Sequence, residues 1–110
     1  MIRAGFAVAD ITPSLPCHKL GWLRVVTAER VADPLFAKAA VFEADGERAG
    51  FVVLDTLSVR WTQVAEIRRR TEAAHGIPAD RLMVSATHSH AGPAVASSGD
   101  VRRDEAYLEE

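Results

Sequence analysis

The chain has 110 residues, of which 48% are hydrophobic and 25% are charged. A chain of this length and composition can bury a core of its own, so we expect residues 1–110 to form one domain rather than a disordered segment. The formal net charge of −2 provides no basic surface for phosphates, which argues against nucleic acid as a partner. No apolar run approaches the roughly 20 residues of a membrane span, and the lack of a signal-peptide pattern predicts a cytoplasmic protein.

The first third of the chain predicts one strand followed by a long loop. The strand covers residues 3–9 and ends before Pro13, which lacks the N–H donor that a strand ladder needs. Residues 14–33 have no regular pattern, and a loop of that length is uncommon unless it has a function. The loop contains the single cysteine, Cys17, which we interpret as a small apolar core residue. Cys17 and the neighbouring His18 are also a weak candidate for a second pair of metal ligands.

Two apolar runs then surround a turn signal. Residues 37–43 and 50–56 have strand length, and Asp45 and Gly46 lie between them. Asp-Gly favours a two-residue hairpin turn because both residues tolerate a positive φ. The pattern therefore predicts an antiparallel hairpin.

A helix and a further strand follow the hairpin. Apolar residues recur at a spacing of three and four over residues 61–75, and Gly76 and Pro78 form a helix stop. The apolar run 82–86 predicts a buried strand. Strand, helix and strand in this order form a right-handed crossover with parallel strands. The predicted fold class is therefore α/β, a mixed sheet with an antiparallel hairpin and a right-handed strand-helix-strand crossover.

The last ten residues predict a helix over 101–110 that lacks a terminating glycine or cationic cap. We therefore expect the chain to be the N-terminal part of a longer domain. A sheet taken from a longer domain has an exposed edge, and such an edge tends to pair with another copy of itself. This predicts a homo-oligomer that forms through the sheet edge.

His88 and His90 directly follow the predicted strand 82–86. Residues two apart in extended backbone point to the same side, so the two imidazoles are expected to converge on one point. Imidazole is the commonest zinc ligand, but two ligands are only half of a zinc site, and the others must come from distant sequence. The alternative is that both histidines are simply polar residues at a strand end.

Other polar residues are candidates for the same rim. Asp55 ends the preceding parallel strand, and the ligands of open α/β sheets bind at the carboxyl ends of such strands. It either faces the pocket or caps the helix and closes the turn. Asp10 likewise either lines the rim or forms a turn. His75, in the last helical turn, is expected to be structural.

Four segments together resemble the N-terminal domain of the neutral/alkaline ceramidase family. The most specific is Ala-Thr-His-Ser-His-Ala-Gly-Pro at residues 86–93, and the others are residues 4–13, 33–39 and 53–55. Members of that family are zinc-dependent amidohydrolases that cleave N-acylsphingosine to a fatty acid and a sphingoid base. The resemblance thus implies a Zn²⁺ cofactor and a lipid-like amide substrate.

In the family pattern Thr-His-Thr-His-Ser-Gly-Pro, the first histidine binds zinc and the second lies beside the metal in the substrate site. The resemblance therefore implies that His88 is a metal ligand and His90 a catalytic residue. Ser89 and Ala91 depart from the pattern, but neither removes an imidazole.

The remaining ligands of the family, another His, a Glu and a Tyr, lie with its nucleophile beyond residue 110. The resemblance thus implies an enzyme whose 110-residue part is inactive alone. The alternatives are a non-catalytic α/β module and a metal-dependent hydrolase of another amide or ester.

Overall fold

The computed structural model describes residues 1–109 and confirms the mixed α/β fold. Four strands form the main sheet in the order β1-β4-β5-β6, and two short strands form a second sheet. In chain order the strands are β1 (Ile2–Asp10), β2 (Cys17–Lys19), β3 (Val26–Ala28), β4 (Phe36–Ala44), β5 (Glu47–Leu54) and β6 (Leu82–Ala86), and the α-helices are α1 (Trp61–His75) and α2 (Glu105–Glu109), with a 3₁₀ turn at Ala79–Arg81.

The predicted hairpin and crossover are both present. Strands β4 and β5 pair antiparallel around Asp45 and Gly46, whose φ angles are 52° and 80°. Helix α1 ends at Gly76, with φ 65°, whose N–H donates to the carbonyl of Glu72 at 2.9 Å. The chain then returns as β6, which pairs parallel to β5. The crossover places the carboxyl ends of β5 and β6 at one edge of the sheet.

Two elements differ from the prediction. Residues 14–33, expected to be a loop, contain the β2–β3 hairpin, whose three-residue strands are too short to show alternation in the sequence. The last helix, expected over residues 101–110, starts at Glu105. Val101 instead exchanges backbone hydrogen bonds with Ser98, and the Asp104 carboxylate accepts a bond from the N–H of Tyr107 at 3.1 Å, which caps the helix.

The fully buried apolar cluster lies among the loops rather than on the sheet. Its members are Leu20, Ala94, Val95, Ala96 and Val101. The radius of gyration is 15.4 Å, whereas a compact chain of this length has about 13 Å. The protein is therefore open and elongated, with its tightest packing beside the histidine motif.

The prediction that β6 is a buried strand is only partly right. Leu82 is 2% exposed, but Met83 is 52% exposed. The strand register places Met83 beside Phe51 on one face of the sheet, with Phe6 in the same row. The rings of Phe6, Phe42 and Phe51 meet edge to face with centroids 6.2 to 6.4 Å apart. Within residues 1–109 this aromatic face is not buried, and Met83 is the exposed residue of β6.

Strand β1 forms one edge of the main sheet, and all nine of its residues are exposed. No bulge or proline interrupts its nine-pair register with β4, so its outer edge is a regular row of backbone donors and acceptors that no strand within residues 1–109 pairs. We expect a second copy of the chain to pair there. Sedimentation velocity should show dimers that Val8→Lys abolishes, because a lysine on an edge strand opposes pairing.

Val31→Lys is the matched control, since Val31 is also about half exposed but lies outside the sheet. A wild-type chain that stays monomeric at its highest soluble concentration would contradict this expectation.

None of the helices within residues 1–109 combines the length and the apolarity needed to cross a bilayer.

Candidate functional site

The histidine motif leaves the sheet through a left-handed residue. His88 has φ 67°, so the expectation that extended backbone points the two rings to the same side is wrong. The N–H groups of Thr87 and Ser89 donate to the carbonyls of Leu54 and Thr56 at 2.9 and 3.0 Å. These bonds fix the backbone on both sides of His88 and hold it in a conformation that costs about 1 to 3 kcal/mol. Such local strain, imposed by the neighbouring structure, is typical of functional sites.

The two imidazoles nevertheless converge, as expected. His88 Nδ1 lies 2.8 Å from the carbonyl oxygen of Leu57, and His90 Nδ1 lies 2.9 Å from that of Gly21. A carbonyl oxygen only accepts, so each Nδ1 carries a hydrogen, and an Nε2 that carries no proton presents a lone pair. The two Nε2 atoms are 3.3 Å apart, and both residues are exposed. Both lone pairs therefore face one solvent-accessible point.

The donor set of this pair fits a zinc ion. Two lone pairs 3.3 Å apart repel each other unless a proton or a cation lies near both. At Zn–N bonds of about 2.0 to 2.1 Å, two nitrogen ligands of a tetrahedral zinc are about 3.3 to 3.4 Å apart. Zinc-bound histidines also typically donate their other N–H to a carbonyl or carboxylate, as both rings do here. The distance suits two ligands, or one ligand and one ring that contacts a group on the metal.

The described residues do not complete such a site. Within residues 1–109 no group of three or more His, Cys, Asp or Glu side chains is arranged to hold a metal ion. Zinc in proteins has at least three protein ligands. Any further ligands must therefore come from outside this part of the polypeptide.

Asp55 and Asp10 have structural hydrogen bonds instead. The Asp55 carboxylate accepts from the N–H of Phe36 at 3.0 Å, and the Asp55 N–H donates to the Phe36 carbonyl at 2.9 Å. Asp55 thereby joins the ends of β5 and β4. Asp10 accepts from the N–H of Thr12 at 2.8 Å, and hydrogen bonds from the Thr12 side chain and backbone lower the pKa of Asp10. This is the turn-forming alternative for Asp10.

The other candidates lie apart from the histidine pair. His18 Nδ1 is 3.3 Å from the Thr27 hydroxyl across the β2–β3 hairpin. The His75 carbonyl accepts from the Arg48 guanidinium at 3.0 Å at the end of α1. Cys17 is 6% exposed, and burial raises the pKa of its thiol, as suits a core residue.

Sequence reasoning missed two residues that contact His90. Gly21 supplies the carbonyl at the ring, and Trp22 Nε1 donates to the backbone carbonyl of His90 at 2.8 Å. Both lie in the predicted long loop, whose unusual length was the only sequence signal. Nothing in the spacing linked this loop to a histidine 69 residues later.

No protein-family model matches the sequence, and no curated protein matches it significantly. Among solved structures, the chain is similar to the neutral ceramidase from Pseudomonas aeruginosa, with a TM-score of 0.71 and 26% identity over 84% of this chain and 16% of that chain. It is also similar to a ceramidase complexed with C2, with a TM-score of 0.71 and 29% identity over 84% of this chain and 15% of that chain. The chain thus spans about one-sixth of the length of these ceramidases. The resemblance predicted from the motifs is confirmed: most of this chain is structurally similar to a part of the neutral ceramidase structures.

Proposed function

We propose that this chain forms the histidine-bearing part of a zinc-dependent amidohydrolase that cleaves the N-acyl amide of N-acylsphingosine to a fatty acid and a sphingoid base. His88 is the metal ligand in this proposal and His90 the catalytic residue. The structural likeness to neutral ceramidases supports the reaction class. Because the described residues supply only part of a metal site, the 110-residue chain is expected to be inactive alone.

The observation that carries the proposal is the geometry of the histidine pair. The Nδ1 atoms of His88 and His90 each donate to a carbonyl, so both Nε2 atoms are available and lie 3.3 Å apart in an exposed position. Two histidines that merely end a strand need not turn both Nδ1 atoms to carbonyls or bring both Nε2 atoms together, so this geometry favours a shared site. The arrangement offers both nitrogens to one cation or to one shared proton.

Zinc, when bound, polarises the scissile carbonyl or activates a water molecule. The chain's own residues have two tasks. His88, fixed by the Leu57 carbonyl, presents Nε2 to the metal. His90, fixed by the Gly21 carbonyl, keeps its Nε2 lone pair beside that position, where it would accept the proton that the attacking nucleophile loses and, once protonated, donate a hydrogen bond to the negative charge that develops on the amide oxygen.

The test uses the gene product that contains this sequence, purified and analysed for metal. We expect about one zinc per chain, release of fatty acid from a short-chain ceramide, and loss of zinc in His88→Ala. His90→Ala should retain zinc but lower kcat, by about 100-fold to 10,000-fold for the loss of an acid-base group.

Each alternative has its own result in the same experiment. A zinc-loaded protein inert toward every N-acylsphingosine would refute the sphingolipid substrate and favour another amide or ester. A well-folded protein without metal would refute the enzyme and favour a non-catalytic α/β module. Loss of zinc in His90→Ala would make His90 a second ligand and overturn its catalytic role.

A further inference from the structure

We propose that Gly21 and Trp22 are positioning residues that fix the ring of His90 in one tautomer and one orientation. They lie in the loop between β2 and β3, far from the histidine motif in sequence. The proposal rests on the proposed function only for the use made of the aligned ring. The alignment itself is a property of this chain with or without metal.

Gly21 contributes through its missing side chain. A Cβ atom at this position would lie 2.6 Å from His90 Nδ1 and 2.9 Å from both His90 Cε1 and the Leu57 side chain. Gly21 also has φ 91°, which other residues rarely adopt. Only glycine therefore lets this backbone bring its carbonyl to 2.9 Å from the ring nitrogen.

Trp22 holds the other end of the same residue. Its indole N–H donates to the His90 carbonyl at 2.8 Å, and its ring meets the imidazole edge to face with centroids 6.5 Å apart. His90 is thus held at its backbone by one loop residue and at its ring by the preceding one. Two independent contacts leave the imidazole little freedom to rotate.

The start of this loop is held in place by packing and by a β-bridge to the chain that follows the histidine motif. Leu20 is 4% exposed and belongs to the buried cluster with Ala94 and Val95. Lys19, the last residue of β2, forms a β-bridge with Pro93, three residues after His90. The positions of Gly21 and of the motif are therefore set by the same packing.

The consequence concerns the proton on His90. A hydrogen on Nδ1, donated to the Gly21 carbonyl, leaves Nε2 free to face His88 Nε2 at 3.3 Å. A ring released from this carbonyl is free to rotate and to exchange tautomers. Removing the outer contacts that orient a histidine at a metal site typically lowers metal affinity or activity by about 10-fold to 100-fold, and for a histidine that does not bind the metal the loss is one of activity.

The experiment measures ¹⁵N chemical shifts of the histidine rings in the metal-free chain, at a pH where imidazoles are neutral. We expect wild-type His90 to show the Nδ1–H tautomer. Gly21→Ala should yield a tautomer mixture for His90 while His88, held by Leu57, keeps its tautomer. The activity of the gene product should fall by about 10-fold to 100-fold in the same variant while its zinc content is retained, because His90 is not the metal ligand in the proposed function.

Gly46→Ala is the matched control. Gly46 has a similar positive φ of 80°, but a Cβ there would have nothing within 4 Å, so the variant reproduces the backbone strain without the contact. It should leave the His90 signals unchanged. Equal His90 spectra in the two alanine variants would overturn the role of Gly21.

Trp22→Phe keeps an aromatic ring but removes the N–H donor, and it remains informative if Gly21→Ala does not fold. We expect a smaller shift toward the tautomer mixture, with no change in Trp61→Phe, since Trp61 is 82% exposed. An unchanged His90 spectrum in Trp22→Phe would overturn the role of Trp22.

A wild-type His90 in the single Nδ1–H tautomer, in a protein without zinc binding or hydrolysis, would refute the proposed function alone. A tautomer mixture for wild-type His90 in a zinc-binding enzyme would refute this proposal alone.

Discussion

Replacing His88 with glycine is expected to abolish zinc binding in the gene product while leaving a chain that is more stable than His88→Ala. The imidazole is the proposed ligand, so both substitutions remove it. His88 has φ 67°, where alanine retains the steric strain and glycine does not. We expect His88→Gly to exceed His88→Ala by about 1 kcal/mol in the free energy of unfolding, measured by urea denaturation.

The matched control is His18, an exposed histidine within strand β2. There glycine should be less stable than alanine, because extended backbone gives glycine no steric advantage and its greater unfolded-state entropy is lost. Neither His18 variant should change the zinc content. The same stability order at both positions would contradict the strain at His88, and zinc retained in His88→Gly would contradict its role as a ligand.

The parts of the fold that the sequence predicted are those with local causes. Asp45 and Gly46 have the positive φ angles that their residue types tolerate in a hairpin turn, and Gly76 ends α1 with a positive φ for the same reason. The β2–β3 hairpin has no such signal, because its pairing depends on the loop cluster around Leu20. The exposure of the aromatic face could not be predicted either, because an apolar run such as Leu82–Ala86 shows that a strand has apolar side chains but not which other element covers them.

The candidate site divides in the same way. His88 and His90 are only two residues apart in sequence, so their convergence could be predicted, although it arises from a left-handed residue rather than from extended backbone. The contacts of Gly21 and Trp22 with His90 could not, because they depend on how a loop folds back over 68 and 69 residues. The position of Asp55 left a place in the pocket and a structural role both open, and its carboxylate accepts a hydrogen bond from the backbone N–H of Phe36.

The second large effect concerns stability, and Leu82→Ala is expected to lower the free energy of unfolding by about 2 to 5 kcal/mol. Leu82 is 2% exposed and is the only fully buried residue of β6 within the described chain. Domains of this kind have about 5 to 15 kcal/mol of total stability, so the loss is a large fraction. Leu23→Ala, at a residue that is 110% exposed, is the control and should change little.

Gly50 provides a sharper test of why Leu82 matters. The two residues are paired across β5 and β6, and a Cβ at Gly50 would lie 3.0 Å from Leu82 Cδ1. Gly50→Ala alone is therefore expected to destabilise the protein by crowding that side chain. Combined with Leu82→Ala, the new methyl group occupies part of the vacated space, so the double variant should be less destabilised than the sum of the two by about 0.5 to 3 kcal/mol. Simple additivity in urea denaturation would show that Leu82 does not pack on Gly50 and that the β5–β6 contact is looser than the structure indicates.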